Sequence, residues 1–98
     1  MKLVIGDGSE YTISAFSYHN DAENTSSQIN QNYRIDIPVA TALTDQISDI
    51  EAKFTEENLQ NCTMTLDDGM ELTLSFSSVV LIACQLVKGE NVFYVLVK

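Results

Sequence analysis

The chain is 98 residues long, 45% hydrophobic and 19% charged, and its fourteen acids against five bases give a formal net charge of −9. That length holds a single domain, residues 1–98, with one core and little depth for an enclosed active site, and the composition is that of a folding chain rather than a disordered one. The negative charge disfavours phosphate backbones and anionic membranes, so neither nucleic acid nor membrane is expected as a partner, whereas a basic protein is favoured.

The first segment reads as a hairpin. Lys2 to Ile5 is a short strand, Gly6-Asp7-Gly8-Ser9 is turn chemistry, and Tyr11, Ile13 and Ala15 alternate with Thr12 and Ser14 as a half-buried strand does. After Ala15 the phase slips, and Phe16 and Tyr18 carry the bulk on the other parity. A bulge or a strong twist is the expected cause. His19 to Asn32 is nearly all polar and reads as a long exposed loop, flanked by Tyr18 and Tyr33.

Tyr33, Ile35, Ile37 and Val39 alternate cleanly with Arg34, Asp36 and Pro38. Pro38 cannot donate to a ladder, so an edge strand or a strand end is expected there. Leu43, Ile47, Ile50 and Phe54 follow at spacings that place them on one stripe of a helix from the low forties to the mid fifties. Thr41 or Thr44 can cap its start, and Thr55-Glu56-Glu57-Asn58 can cap a further short turn before Leu59.

Cys62, Met64 and Leu66 alternate into Asp67-Asp68-Gly69, and Met70, Leu72, Leu74 and Phe76 alternate out of it, a second hairpin on an Asp-Gly turn. That turn resembles Asp7-Gly8 locally. Val79 to Val87 is apolar on both parities except Gln85, as is Val92 to Val97, with Lys88-Gly89-Glu90-Asn91 as the turn between them. Such strands belong in the middle of a sheet or at a subunit contact. The expected fold is α+β: a mainly antiparallel sheet of about seven strands in three hairpins, one amphipathic helix packed on one face, and the order β-β-β-α-β-β-β-β.

A search for chemistry yields no catalytic residue. His19 is the only histidine, and it has no nucleophile or orienting residue beside it in sequence. Cys62 and Cys84 are too few for a disulfide framework and sit in apolar runs, where a free thiol behaves as a small hydrophobe. Cys-x-x-Cys and His-Glu-x-x-His are both missing, and Asp67-Asp68-Gly69 lacks the further oxygens of a calcium loop, so no metal and no cofactor is expected. Gly6-Asp7-Gly8 feeds a strand and carries an acid, which makes it a poor phosphate cradle. Residues 1–7 hold no apolar run of signal-peptide length, and Val79 to Cys84 is too short to cross a bilayer.

The Met1-Lys2-Leu3-Val4-Ile5 start resembles that of a known group. So do the passage from Arg34-Ile35-Asp36-Ile37 into Leu43-Thr44-Asp45-Gln46-Ile47 and the run from Met64-Thr65-Leu66-Asp67 through Asp68-Gly69-Met70-Glu71-Leu72. Together they are similar to the small acidic proteins encoded by phages and prophages of Gram-positive bacteria, some of which are virion or tail-assembly components. The resemblance implies a virion or tail-assembly protein and carries over no functional residue, and with no signal-peptide run at the start the expected location is cytoplasmic or virion-associated.

Two functions remain. The first is a non-enzymatic structural or protein-interaction module that binds a protein partner or itself, as a homo-oligomer or ring subunit. Its expected contact residues are Tyr18, His19 and Tyr33 at the polar loop, and Phe93 and Val95 on the last hairpin. The second is an acidic inhibitor whose carboxylates imitate a phosphate backbone and occupy a basic, nucleic-acid-binding protein. This reading requires rows of acids at phosphate spacing.

Overall fold

In a computed structural model, residues 1–20, 31–39 and 44–98 are described. The described chain forms eight strands and two short helices. They are β1 (Lys2–Val4), β2 (Glu10–Thr12), β3 (Ala15–Asn20), β4 (Gln31–Pro38), α1 (Thr44–Lys53), α2 (Glu56–Leu59), β5 (Cys62–Thr65), β6 (Glu71–Leu74), β7 (Val79–Val87) and β8 (Glu90–Val97). All strand pairs are antiparallel. The α+β class and antiparallel character agree with the sequence, but the strands divide between two four-stranded sheets. The first sheet has the order β2-β1-β5-β6 and the second β3-β4-β8-β7.

The extra strand comes from the phase slip after Ala15. Ile13 donates its N–H to Met1 in the first sheet, and Ser14 donates to Asp36 in the second, at 2.8 and 2.9 Å. The chain therefore changes sheets between these two residues. Tyr11 and Ile13 face the core from one sheet, and Phe16 and Tyr18 follow on the other parity because they belong to the opposite sheet. Phe76 makes the reverse crossing possible at the end of β6. It is buried, its N–H bonds Leu59, and Ser77 beside it bonds Lys98.

The core lies between the sheets. Leu3, Cys62 and Met64 come from the first, with Ile5 and Ile13 one residue past its strands, and Ile35, Ile37, Phe93, Val95 and Val97 from the second. Each fully buried aliphatic or aromatic side chain of this kind contributes about 1.5–3 kcal/mol. The helices add Ile50, Phe54 and Leu59 to the same cluster. Phe54 meets Tyr11 edge to face at 5.3 Å, so α1 is held to the first sheet by an aromatic pair. Leu43, the expected first member of the helical stripe, lies outside the described residues. Thr55 caps α2 through a bond from the Asn58 N–H, as its sequence suggests.

Two turns share one geometry. Ile5 bonds Ser9, Gly8 bonds back to Ile5, and Asp7 accepts from the Ser9 N–H at 2.8 Å. Leu66, Gly69, Asp68 and Met70 repeat the set, with Asp68 accepting from Met70 at 2.9 Å. Gly8 and Gly69 stand at φ 89° and 88°, which a side chain resists. The Ser9 N–H also holds the Asp7 carboxyl below the usual carboxylate range.

Pro38 is a strand end rather than part of an edge strand. It closes β4, an inner strand, past the last residue paired with β3. The polar stretch from His19 to Asn32 is shorter as a loop than its composition suggests, because His19 and Asn20 pair with Asn32 and Gln31 and extend the β3-β4 hairpin. Residues 21–30 lie outside the described part. Of the two strands expected in the middle of a sheet or at a subunit contact, β8 takes the middle and β7 forms the edge.

Gly6 joins the first turn to α2. Its N–H bonds Asn58 at 2.8 Å, and a Cβ there would sit 3.0 Å from the Asn58 Cα. Asn58 in turn donates its side-chain amide to Lys53 at the end of α1. Gly6→Ala should lower stability by roughly 1–3 kcal/mol through this clash with backbone. Gly8→Ala meets open space and should cost about 1–2 kcal/mol, for its positive φ alone. Urea unfolding of both variants measures the two costs, and in Gly6→Ala loss of the contact with Asn58 should appear as faster amide exchange at position 6.

Candidate functional site

The expected contact residues fall into two groups. Tyr18 and Tyr33 lie opposite each other on β3 and β4, their rings 5.6 Å apart and close to perpendicular. Phe16 stacks on Tyr33 at 5.7 Å, and Phe76 reaches it at 5.6 Å. These four rings staple the end of the hairpin, yet Tyr18 remains 51% exposed and Tyr33 36%. The cluster can do both jobs that the sequence allows, closing the hairpin base and presenting an aromatic edge. His19 is placed by its backbone pairing with Asn32, and nothing further of its side chain is described.

Phe93 and Val95 are a correction. Both have no exposed surface, because β8 is an inner strand and its odd-numbered side chains form the middle of the core. A partner cannot touch them. The exposed apolar residues of the last hairpin are instead on β7: Val80, Leu81 and Leu86, the last 67% exposed.

The outer face of the second sheet, where Leu81 stands, carries an ordered polar group. Arg34 on β4 donates from Nε to Asp36 at 2.7 Å and from an Nη to Gln85 of β7 at 2.6 Å, and its guanidinium lies 4.4 Å over the Tyr94 ring of β8. A bidentate-capable, planar cation suits this mixture of stacking and hydrogen bonding better than lysine would. With Leu81 and Leu96, opposite each other in register, Arg34, Gln85 and Tyr94 line a shallow depression of about 240 Å³. Arg34 thereby ties three neighbouring strands together and stands ready as a surface feature of the sheet.

Charge is distributed unevenly over the fold. Residues 44–74, which make the helices, β5 and β6, hold eight acids against one base, Lys53. Residues 31–38 and 79–98, which make β4, β7 and β8, hold Arg34, Lys88 and Lys98 against Asp36 and Glu90. The half of the molecule built on the second sheet is thus close to neutral, and the helices and first sheet carry most of the anionic excess. Depletion of charge with aromatic and Arg side chains present is the composition of a protein contact core.

A second cleft, about 330 Å³, lies between α1 and the sheets and is lined by Tyr11, Ile37, Ile50 and Phe93 among others. Its wall runs through Val39, after which the chain leaves the described residues. Among those residues no group of three or more His, Cys, Asp and Glu side chains converges to hold a metal ion, and no helix is long and apolar enough to cross a membrane.

The two cysteines are free and differ sharply. Cys62 is buried on β5, donates to the Leu59 carbonyl at 3.4 Å, and is pushed up to about 11 by burial. That is the opposite of an activated nucleophile. Cys84 is exposed on β7, in the other sheet. Tyr11 is raised to about 12 by burial, with Asp49 and Asp7 adding repulsion.

Both raised groups bind their protons more tightly when folded. Their stabilising contribution is complete below pH 9, where the unfolded thiol is still protonated. It is lost as pH climbs through 9–11 for Cys62 and 10–12 for Tyr11. Urea midpoints should therefore fall with rising pH above 9, and Cys62→Ala should flatten the first part of that slope. A disulfide-exchange thiol reagent should titrate Cys84 alone in the native protein and both thiols in denaturant.

Compared with protein-family models, curated proteins and solved structures, the chain finds no match.

Proposed function

We propose that the chain is a non-enzymatic assembly subunit that associates with protein through the edge of its second sheet. The observation that carries this reading is β7, a nine-residue edge strand, Val79–Val87, without a charged residue. The three other edges are blunted in ways that discourage pairing. β2 has three residues and a Lys2–Glu10 ion pair at its border. β6 has four and begins with Glu71. β3 is polar at its free end, in Ser17, His19 and Asn20. Only at its first residues, between Val79 and Leu81, does β7 carry a bulge. From Leu81 onward it is a long, regular, apolar edge of the kind that templates another strand.

A structural component of a phage particle or tail is the setting that fits a small subunit with one such edge and, among its described residues, no metal-binding cluster. The second reading, an acidic inhibitor of a basic protein, draws support from the concentration of acids in residues 44–74. It uses the opposite half of the molecule.

Light scattering coupled to size exclusion, over roughly a hundredfold range of protein concentration, separates these readings. A discrete oligomer that persists as salt is raised is expected. A strict monomer throughout the range overturns the assembly reading, and a complex with a basic protein that dissolves in salt supports the inhibitor.

A further inference from the structure

The reading above leaves the partner of β7 open, and the register of the β7-β8 hairpin narrows it. Val87 pairs with Glu90 across a two-residue turn, in which Lys88 and Gly89 both have positive φ, 50° and 81°. This is the geometry of a primed hairpin turn, whose flanking residues form a hydrogen-bonded pair. Such pairs alternate along an antiparallel ladder. Val87, Gln85, Ala83 and Leu81 therefore direct their N–H and C=O groups to β8. Ile82, Cys84 and Leu86 direct theirs out of the sheet.

Resting on the assembly reading, we infer that the partner is β7 of a second copy, paired antiparallel with the two-fold axis passing beside Cys84. A closed two-fold contact needs a strand that complements itself. Centring on Cys84 sets Ile82 against Leu86 of the second copy, Leu86 against Ile82, and Cys84 against Cys84. All three outward residues on each strand are then satisfied. Centring on Ala83 puts Leu86 against Val80, in the bulge. Centring on Gln85 puts Ile82 against Lys88, in the turn. Only the first register uses the whole regular edge.

The side chains agree with this pairing. Ile82, Cys84 and Leu86 share one face, and Leu86, two-thirds exposed in a single copy, acquires Ile82 as a cross-strand neighbour. On the other face Ala83 lies opposite Gln85, so no two large residues collide at the centre. Electrostatics selects the occupant. A second copy also carries −9, and the strand between Val79 and Val87 is where two copies meet without bringing charged side chains together. A basic foreign partner would be drawn to the helices and first sheet instead. The product is one continuous eight-stranded sheet with β7 doubled at its middle.

Cys84 supplies the test. At the proposed centre the two Cys84 Cα atoms stand about 5.5 Å apart, within reach of a short bis-maleimide, which joins two thiols by addition and needs no oxidant. The native protein should give a covalent dimer on a denaturing gel, and Cys84→Ser should give none, since Cys62 is buried. Leu86→Cys in the Cys84→Ser background should not cross-link with the short reagent, because the two thiols would be offset by four residues, about 13 Å along the strands. Leu86→Lys, a change at an exposed position, should weaken self-association by roughly tenfold or more. An oligomer by light scattering without a Cys84 cross-link, or with an equal cross-link at Leu86→Cys, overturns the register while the assembly reading stands. A monomer by light scattering overturns both.

Discussion

The burial of β8 between two neighbours and under the opposing sheet is the constraint on which the rest of the structure depends. Phe93, Val95 and Val97 have no exposed surface, and their strand is bonded on one side to β4 and on the other to β7. With Ile35 and Ile37 they form one wall of the core, and Leu3 and Met64 supply the other. Truncating Phe93 would open a cavity in the centre of this layer, a loss of about 3–5 kcal/mol from a total that is seldom more than 15. The first sheet, with strands of three and four residues, has little cooperative strength of its own and is held by what it buries against this wall.

An unequal division of labour follows. The second sheet has the longer strands, the fully buried Phe93 and the neutral outer face. The first sheet and the helices have the tight Asp-Gly turns and most of the acids. Asp7 and Asp68 are used locally, each accepting the backbone N–H that its turn leaves free, and Asp49 lies near Lys53 on the helix surface at 3.8 Å. Exposed pairs of this sort add little stability. The acidity of this half is thus partly turn and cap chemistry and partly solvation, while the low charge of the other half leaves its edge strand unguarded.

What the sequence shows and what it hides follow from the range of the interactions. The Asp-Gly turns and the Thr55 cap are decided within a few residues, and each is legible where it stands. Alternation correctly places Ile35 and Ile37 inward. The two-sheet arrangement is not legible, because it rests on pairings such as Val4 with Thr63 and Tyr33 with Val97, which no local pattern encodes. The phase slip after Ala15 is visible, but a bulge and a change of sheet give the same slip. Continuous apolarity on β7 and β8 has two physical causes with one signature. For β8 the cause is burial on the inner face beside half-buried Tyr94 and Leu96 outside; for β7 it is an edge left apolar. Parity separates Phe93 and Val95, which point inward, from Leu81 and Gln85, which do not, but only once the partner strand is known. The Arg34 cluster was out of reach for the same reason, since Asp36, Tyr94 and Gln85 come from three strands.

Net charge and edge strand act together. Two copies each carrying −9 repel at a distance, and that repulsion opposes the random encounters through which an apolar edge would aggregate. It weakens when ions screen the charges beyond a Debye length of about 8 Å in physiological salt. Contact along β7 involves backbone hydrogen bonds and apolar side chains, which salt does not screen. Raising the ionic strength therefore removes a cost of association without removing its gain. An acidic face bound to a basic partner behaves in the opposite sense, because there the attraction itself is screened. The sign of the salt dependence thus reports which half of this molecule is in use.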